Sequence, residues 1–134
     1  ELGLNIATRN LAADAASRAG FQLDMDIDDN LVEMTPDVEQ CVYRIAQEAL
    51  ENIVKHAEAQ KVIVHLSYDE EFLRLIVYDD GIGFDVPAIT FEDKHGLKGM
   101  RERAAEAGAS LDITSRPEEG TRLQLSLEYL WSKS

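Results

Sequence analysis

Apolar residues at Val38, Cys41, Val42, Ile45, Ala46, Ala49, Leu50, Ile53, Val54 and Ala57 follow i, i+3, i+4 and i+7 steps, the period of an amphipathic helix. Thr35 suits its N-cap, Pro36 the first helical position, where no N–H is needed, and Asp37 puts negative charge in the first turn. Before it, Leu4, Ala7, Leu11, Ala15 and Ala19 predict a first helix over 4–19, stopped by Gly20. Phe21, Leu23, Met25 and Ile27 alternate with polar residues, as in a half-buried strand, and Asp28-Asp29-Asn30 forms a turn. Leu31 to Met34 reads as a short edge segment.

After the long helix, which is expected to run to about Ala57, alternation resumes at Val62, Val64 and Leu66 and again at Leu73, Leu75 and Val77. Asp69-Glu70-Glu71 between them makes a hairpin. Residues 85–95 show no period and contain Pro87 and mixed charges, which predicts a mobile lid over about 84–96. Leu97, Met100, Ala104 and Ala107 restore the helical period up to Gly108. A second hairpin, 110–115 with 121–128, turns across Arg116 to Gly120. The order α-β-α-ββ-lid-α-ββ implies an α+β fold, a mixed β-sheet covered on one face by three helices, in a single domain over 1–134.

With 134 residues, 45% hydrophobic and 29% charged, the chain can bury a full core. A net charge of −13 excludes the positive footprint needed to bind nucleic acid or an anionic membrane. Lys94, Lys98, Arg101 and Arg103 concentrate four of the 13 basic residues within ten positions, a candidate phosphate contact. The single cysteine, Cys41, lies on the apolar stripe and reads as core. No 18-residue apolar run and no leader are present, which fits a cytoplasmic segment, and the opening Glu1-Leu2-Gly3 suggests a piece of a longer protein.

At 100° per residue, Glu48, Asn52 and Lys55 fall within about 60° of one another beside the apolar stripe, with His56 adjacent. A carboxylate one turn from an amide offers hard oxygen ligands suited to Mg²⁺, and Lys55 would then meet phosphates. The same row also describes a solvated face with favourable charge spacing. Gly81 and Gly83, following Asp79 and Asp80, let the backbone turn and approach a flat ligand closely.

Taken in order, Glu48-xxx-Asn52-xx-Lys55-His56, Asp79-x-Gly81-x-Gly83, Gly96-Leu97-x-Gly99-Met100-x-Glu102-Arg103 and Gly120-Thr121 resemble the four boxes of the Bergerat ATP-binding fold. That fold serves histidine kinases, gyrase-type topoisomerases, a heat-shock chaperone and mismatch-repair ATPases. The stretch Tyr43 to Ala57, together with Gly96 to Arg103, is similar to sensor histidine kinases that pair with NarL-type response regulators.

The resemblance implies that Asn52 holds Mg²⁺ on the ATP phosphates and that Glu48 assists the metal or polarises the attacking group. It implies that Asp79 accepts a hydrogen bond from the adenine amino group, in a pocket shaped by Gly81 and Gly83 and reached by Thr121. Gly96, Leu97 and Gly99 would open the helix after the lid, where free N–H groups suit phosphate. Lys55, Arg101 and neighbouring cations would supply charge, and His56 and His95 would touch the nucleotide or steady the lid. The family's phosphoacceptor histidine lies on a dimerisation helix, and none of His56, His65 and His95 has that context, His65 reading as a structural residue within a strand. The partners implied are that histidine-bearing dimerisation domain and a response regulator. An ATPase or serine-phosphorylating anti-sigma kinase of the same fold, or a non-catalytic binding module, are the alternatives.

Overall fold

A computed structural model describes residues 3–28, 34–69, 71–83 and 91–128, the stretch 91–95 through its backbone alone. Helix α1 spans Leu4–Ala19 and strand β1 Gln22–Ile27. Helix α2, Pro36–Asn52, continues as one π-helical turn, Ile53–Ala57. Strands β2, Lys61–Tyr68, and β3, Phe72–Asp79, precede helix α3, Phe91–Glu106, and the chain closes with β4, Ser110–Ser115, and β5, Thr121–Glu128. The expected edge segment at 31–34 falls almost wholly outside the described residues, as does 84–90, most of the expected lid.

The five strands form one sheet in the order β1-β2-β3-β5-β4. Strand β1 pairs with β2 in parallel, with α2 as the crossover that a parallel pair requires, and every other pair is antiparallel. On one face Val62, Val64, Leu66, Leu73, Leu75, Val77, Leu123, Leu125 and Leu127 are all at most 4% exposed. Against them pack Val42, Ile45, Ala46, Ala49, Leu50 and Ile53 of the long helix, Leu4, Ala12 and Ala15 of α1, and Met100 and Ala104 of α3. Each large side chain so buried contributes about 1.5–3 kcal/mol relative to exposure. The fold is therefore the expected α+β arrangement, a mixed sheet with three helices on one face.

Helix α2 starts as its sequence directs. Thr35 accepts a long hydrogen bond, 3.4 Å, from the Val38 N–H, Pro36 opens the helix, and Asp37 and Glu39 lie in the first turn. Helix α1 ends at Gly20, whose φ of 80° places it in the left-handed region while its N–H bonds the Ala16 carbonyl. Its inward stripe runs Leu4, Thr8, Ala12, Ala15, so Thr8 lies in the core and Ala19 is exposed.

Two expectations are corrected. The α-helix does not continue to Ala57: its last turn is π-helical, and Glu58 follows at φ 50°. Helix α3 begins at Phe91, so residues 91–96 are helical where a loop was expected, and Gly96 and Gly99 lie inside the helix instead of opening it. Glu92 and Asp93 fall in that first turn, and no glycine or proline interrupts the chain before Gly96, which suits a helix start even without an apolar period.

Candidate nucleotide site

The hydrophobic rows of the sheet end abruptly. The row Val64, Val77, Leu123, Ile113 is followed, one step towards the end of β3, by Val62, Asp79, Thr121, Ser115. In β3 the buried positions alternate Leu73, Leu75, Val77, Asp79, so a carboxylate occupies the next core-facing position after three aliphatic side chains. Asp79 is 2% exposed, and among the described residues its one hydrogen-bond donor is the Gly81 N–H at 2.9 Å. Burial pushes its carboxyl above the usual carboxylate range; the Gly81 N–H opposes the shift, and the neighbouring Asp80 charge adds to it.

Backbone contacts hold this carboxylate in place. A β-carbon on Gly81 would fall 2.1 Å from the Ala57 carbonyl oxygen, so only glycine lets β3's exit lie against the end of the π turn. The Ile82 N–H bonds that same oxygen at 2.7 Å. On the other side Gly120, at φ 78°, lies under Asp79, where a β-carbon would meet the Asp79 carbonyl oxygen at 2.1 Å. Glu118 N–H donates to the Ile82 carbonyl, and Gly83, at φ 63°, rests on the Arg116 carbonyl. Thr121 pairs with Asp79 in this row, its hydroxyl 2.7 Å from that of Ser115.

Ser115 was not singled out in the sequence, although Leu111, Ile113 and Ser115 alternate along β4 towards this same end. Thr121 and Gly120 also border a cavity of about 240 Å³ with Tyr78, Arg116 and Arg122, and none of the other predicted residues lines it.

Along the long helix, Glu48 and Asn52 are half-buried, and neither side chain has a hydrogen-bond partner among the described residues. They stand one α-helical turn apart, the donor pair that suits Mg²⁺, an ion that takes one or two protein oxygens and keeps waters and phosphate oxygens. Among the described residues no group of three or more His, Cys, Asp and Glu side chains gathers as a closed metal site. Lys55 and His56 are exposed, and because they sit in the π turn they depart from the 100° arc expected of them. Such one-turn π segments occur often at functional sites.

Helix α3 crosses near this pair. A β-carbon on Gly96 would be 3.0 Å from Glu48 Oε1, so the absence of a side chain leaves the carboxylate room. Leu97 is 9% exposed and its side chain packs in the core cluster. Gly99 has open space around it and Arg101 is exposed. His95 lies on α3, with its side chain outside the described residues. Lys98 pairs at 3.9 Å with Glu102 on the solvent side. Cys41, expected in the core, is half-buried against α3, its thiol 3.5 Å from the Arg103 carbonyl. His65 lies half-exposed on the open face of the sheet, 3.4 Å from Asp26.

Comparison with known proteins adds to this geometry. Residues 37–130, from the first turn of α2 to beyond β5, match the family described as histidine kinase-, DNA gyrase B-, and HSP90-like ATPase. The chain belongs to that family. It is 38% identical over 117 residues to the sensor protein VraS of Staphylococcus epidermidis, a match covering 87% of this chain and 33% of VraS. The chain thus spans about a third of the length of that curated relative. Its fold is that of the histidine kinase domain of the Erythrobacter litoralis EL346 blue-light activated kinase, with a TM-score of 0.75 at 20% identity, covering 93% of this chain and 60% of the other. Full-length ShkA in complex with AMPPNP aligns with a TM-score of 0.72 at 21% identity, covering 91% of this chain and 29% of ShkA. No helix among the described residues is long and apolar enough to cross a membrane.

Proposed function

We propose that this domain binds ATP with Mg²⁺ and transfers the γ-phosphoryl group to a histidine on a separate dimerisation domain, as the catalytic part of a sensor histidine kinase of the type that signals to NarL-type response regulators. The observation that carries the reading is Asp79: a carboxylate 2% exposed, with one backbone donor, at the end of the core and beside the turn that carries Lys55 and His56. Such a group calls for a ligand N–H, and the exocyclic amine of adenine provides one. Family membership and the sensor proteins among its relatives support the same reading.

Asp79 would fix the adenine, with Gly81 and Gly83 shaping the pocket and Thr121 beside the carboxylate. Asn52 and Glu48 would hold Mg²⁺, which supplies neutralising charge at the phosphates. Lys55, His56, His95, Gly99 and Arg101 would face the phosphates from the π turn and α3. In the transfer, an imidazole nitrogen of the partner domain forms a bond to the γ-phosphorus as the bond to the bridging oxygen breaks, and ADP leaves with that electron pair. Glu48 would assist the metal or polarise the attacking imidazole through its N–H.

Calorimetric titration of the domain with ATP, with and without Mg²⁺, tests the proposal. Binding is expected, and Asn52→Ala is expected to remove its Mg²⁺ dependence and to abolish labelling of an added dimerisation domain by γ-labelled ATP. A folded domain that gives no heat at millimolar ATP would sink the reading.

A further inference from the structure

Two consecutive aspartates, the last residue of β3 and the one after it, face opposite ways. Asp79 points into the core row, while Asp80 is exposed and directed away from it. Asp80 is nevertheless well anchored: one carboxylate oxygen, Oδ1, accepts from both the Gln60 and Lys61 N–H groups at 2.9 Å, and its own N–H donates to the Lys61 carbonyl at 3.2 Å. Gln60 and Lys61 are the residues by which the chain leaves the π turn and enters β2. The short link 57–61 is therefore pinned to β3's exit at both ends, by Ala57 with Ile82 and by Gln60 and Lys61 with Asp80.

From this clamp we infer that Asp80 is a positioning residue for nucleotide, acting through Ala57 and Asp79: it fixes the π turn that bears Lys55 and His56 at a set distance from the adenine acceptor. The inference rests on the nucleotide reading above. A carboxylate receiving two N–H groups makes strong, charge-assisted bonds, and among the described residues these two are the only side-chain hydrogen bonds that hold the link. Glu58 within that link sits at φ 50°, a conformation that non-glycine residues hold only when their surroundings enforce it.

The same hairpin carries its own control. At the opposite end of β2 and β3, Asp69 accepts from the Glu71 and Phe72 N–H groups at 2.8 and 2.6 Å, far along both strands from Asp79. Asp80→Ala is expected to weaken ATP binding at least about tenfold, Asp80→Asn, whose amide oxygen still accepts, to stay within about threefold, and Asp69→Ala to lower the melting temperature without changing affinity. Hydrogen exchange on the unmodified domain reads the coupling without any variant: saturating ATP is expected to slow exchange at Gln60 and Lys61 and to leave Glu71 and Phe72 unaltered. ATP binding to Asp80→Ala at the unmodified affinity, an equal loss in Asp69→Ala, or unchanged exchange at Gln60 and Lys61 would each overturn the inference. Absence of binding by the unmodified domain is a different failure, since it removes the nucleotide reading itself.

Discussion

A β-carbon on Gly81 would stand 2.1 Å from the carbonyl oxygen of Ala57, so the turn after β3 and the end of the π turn meet backbone to backbone. Neither partner is a flexible side-chain tip that could swing aside. Gly81→Ala is expected to force the two segments apart, costing about 1–3 kcal/mol of stability, the range for overpacking. Because the separation falls between the two halves of the proposed site, ATP affinity is expected to drop along with the melting temperature. Thermal unfolding together with calorimetric titration checks both, and a variant with unaltered stability would show that the contact is looser than described.

Gly99 offers the reverse case. It lies within α3, where alanine is better by about 0.5–1 kcal/mol than glycine, and nothing lies within 4 Å of a β-carbon built there. Gly99→Ala should therefore melt higher than the unmodified domain. If phosphates approach the α3 backbone at this point, the added methyl group should also weaken ATP binding, so stability and affinity would move in opposite directions. Unchanged affinity in the more stable variant would remove Gly99 from the phosphate contacts.

Strand alternation located β1, β2, β3, β4 and β5 because one face of each strand turns towards the core, buried in β2, β3 and β5 and mostly half-buried in β1 and β4, and a period of two then writes itself into the residues. The site boxes were legible for a related reason: Gly81 and Gly120 are required by backbone contacts that no other residue permits. What stayed hidden has physical causes. The π turn at Ile53–Ala57 keeps Ile53 and Ala57 buried four residues apart, a spacing that an α-helix would also produce. The start of α3 at Phe91 carries no apolar period, so nothing in the pattern distinguished it from loop. Thr8 escaped because a hydroxyl on a helix is ordinarily read as outward-facing, and the anchoring of Asp80 depends on Gln60 and Lys61, which are distant in sequence.

Thr8 is fully buried, and its hydroxyl has no hydrogen-bond partner among the described residues. A buried hydroxyl left unpaired costs about 1–3 kcal/mol, and valine has nearly the same shape without the polar group. Thr8→Val is thus expected to raise stability by about 1 kcal/mol and to leave nucleotide binding untouched. Chemical denaturation of the two proteins measures the difference; a clearly less stable variant would mean that a buried water satisfies the hydroxyl.

Asp69 gives a pH dependence with a definite sign. The Phe72 and Glu71 N–H groups, with the Arg74 guanidinium 2.7 Å away, hold its carboxyl at about 2. A carboxyl lowered in the folded state stabilises the fold once the pH exceeds the unfolded value and loses that contribution as pH falls through the folded one. The gap in melting temperature between the unmodified domain and Asp69→Ala should accordingly be full near pH 5 and shrink as the pH is brought down towards 2. A gap independent of pH over that window would mean that the bonds to Asp69 contribute nothing through its charge.

Asp79 has the opposite sign, and that opposition ties its chemistry to its place in the fold. Burial raises its carboxyl in the folded state, so its contribution to stability is fully present below the unfolded carboxylate range and is lost as pH rises through the folded value. Ionisation of Asp79 in the folded domain therefore carries a cost, next to aliphatic rows and with the Gly81 N–H to offset it. Asp79→Asn keeps the shape and removes the charge, so at neutral pH it should melt higher than the unmodified domain, with the advantage fading as the solution is acidified. Its amide presents a different pattern to adenine, and loss of a hydrogen bond to a charged acceptor should weaken ATP and ADP alike by roughly ten- to a hundredfold. Melting curves from pH 4 to 8, run beside ATP and ADP titrations, separate the two effects. A variant that is more stable yet binds ATP as tightly would leave Asp79 as a buried charge without a nucleotide role, and one that is less stable at neutral pH would show that its carboxylate is better satisfied than the single Gly81 bond implies.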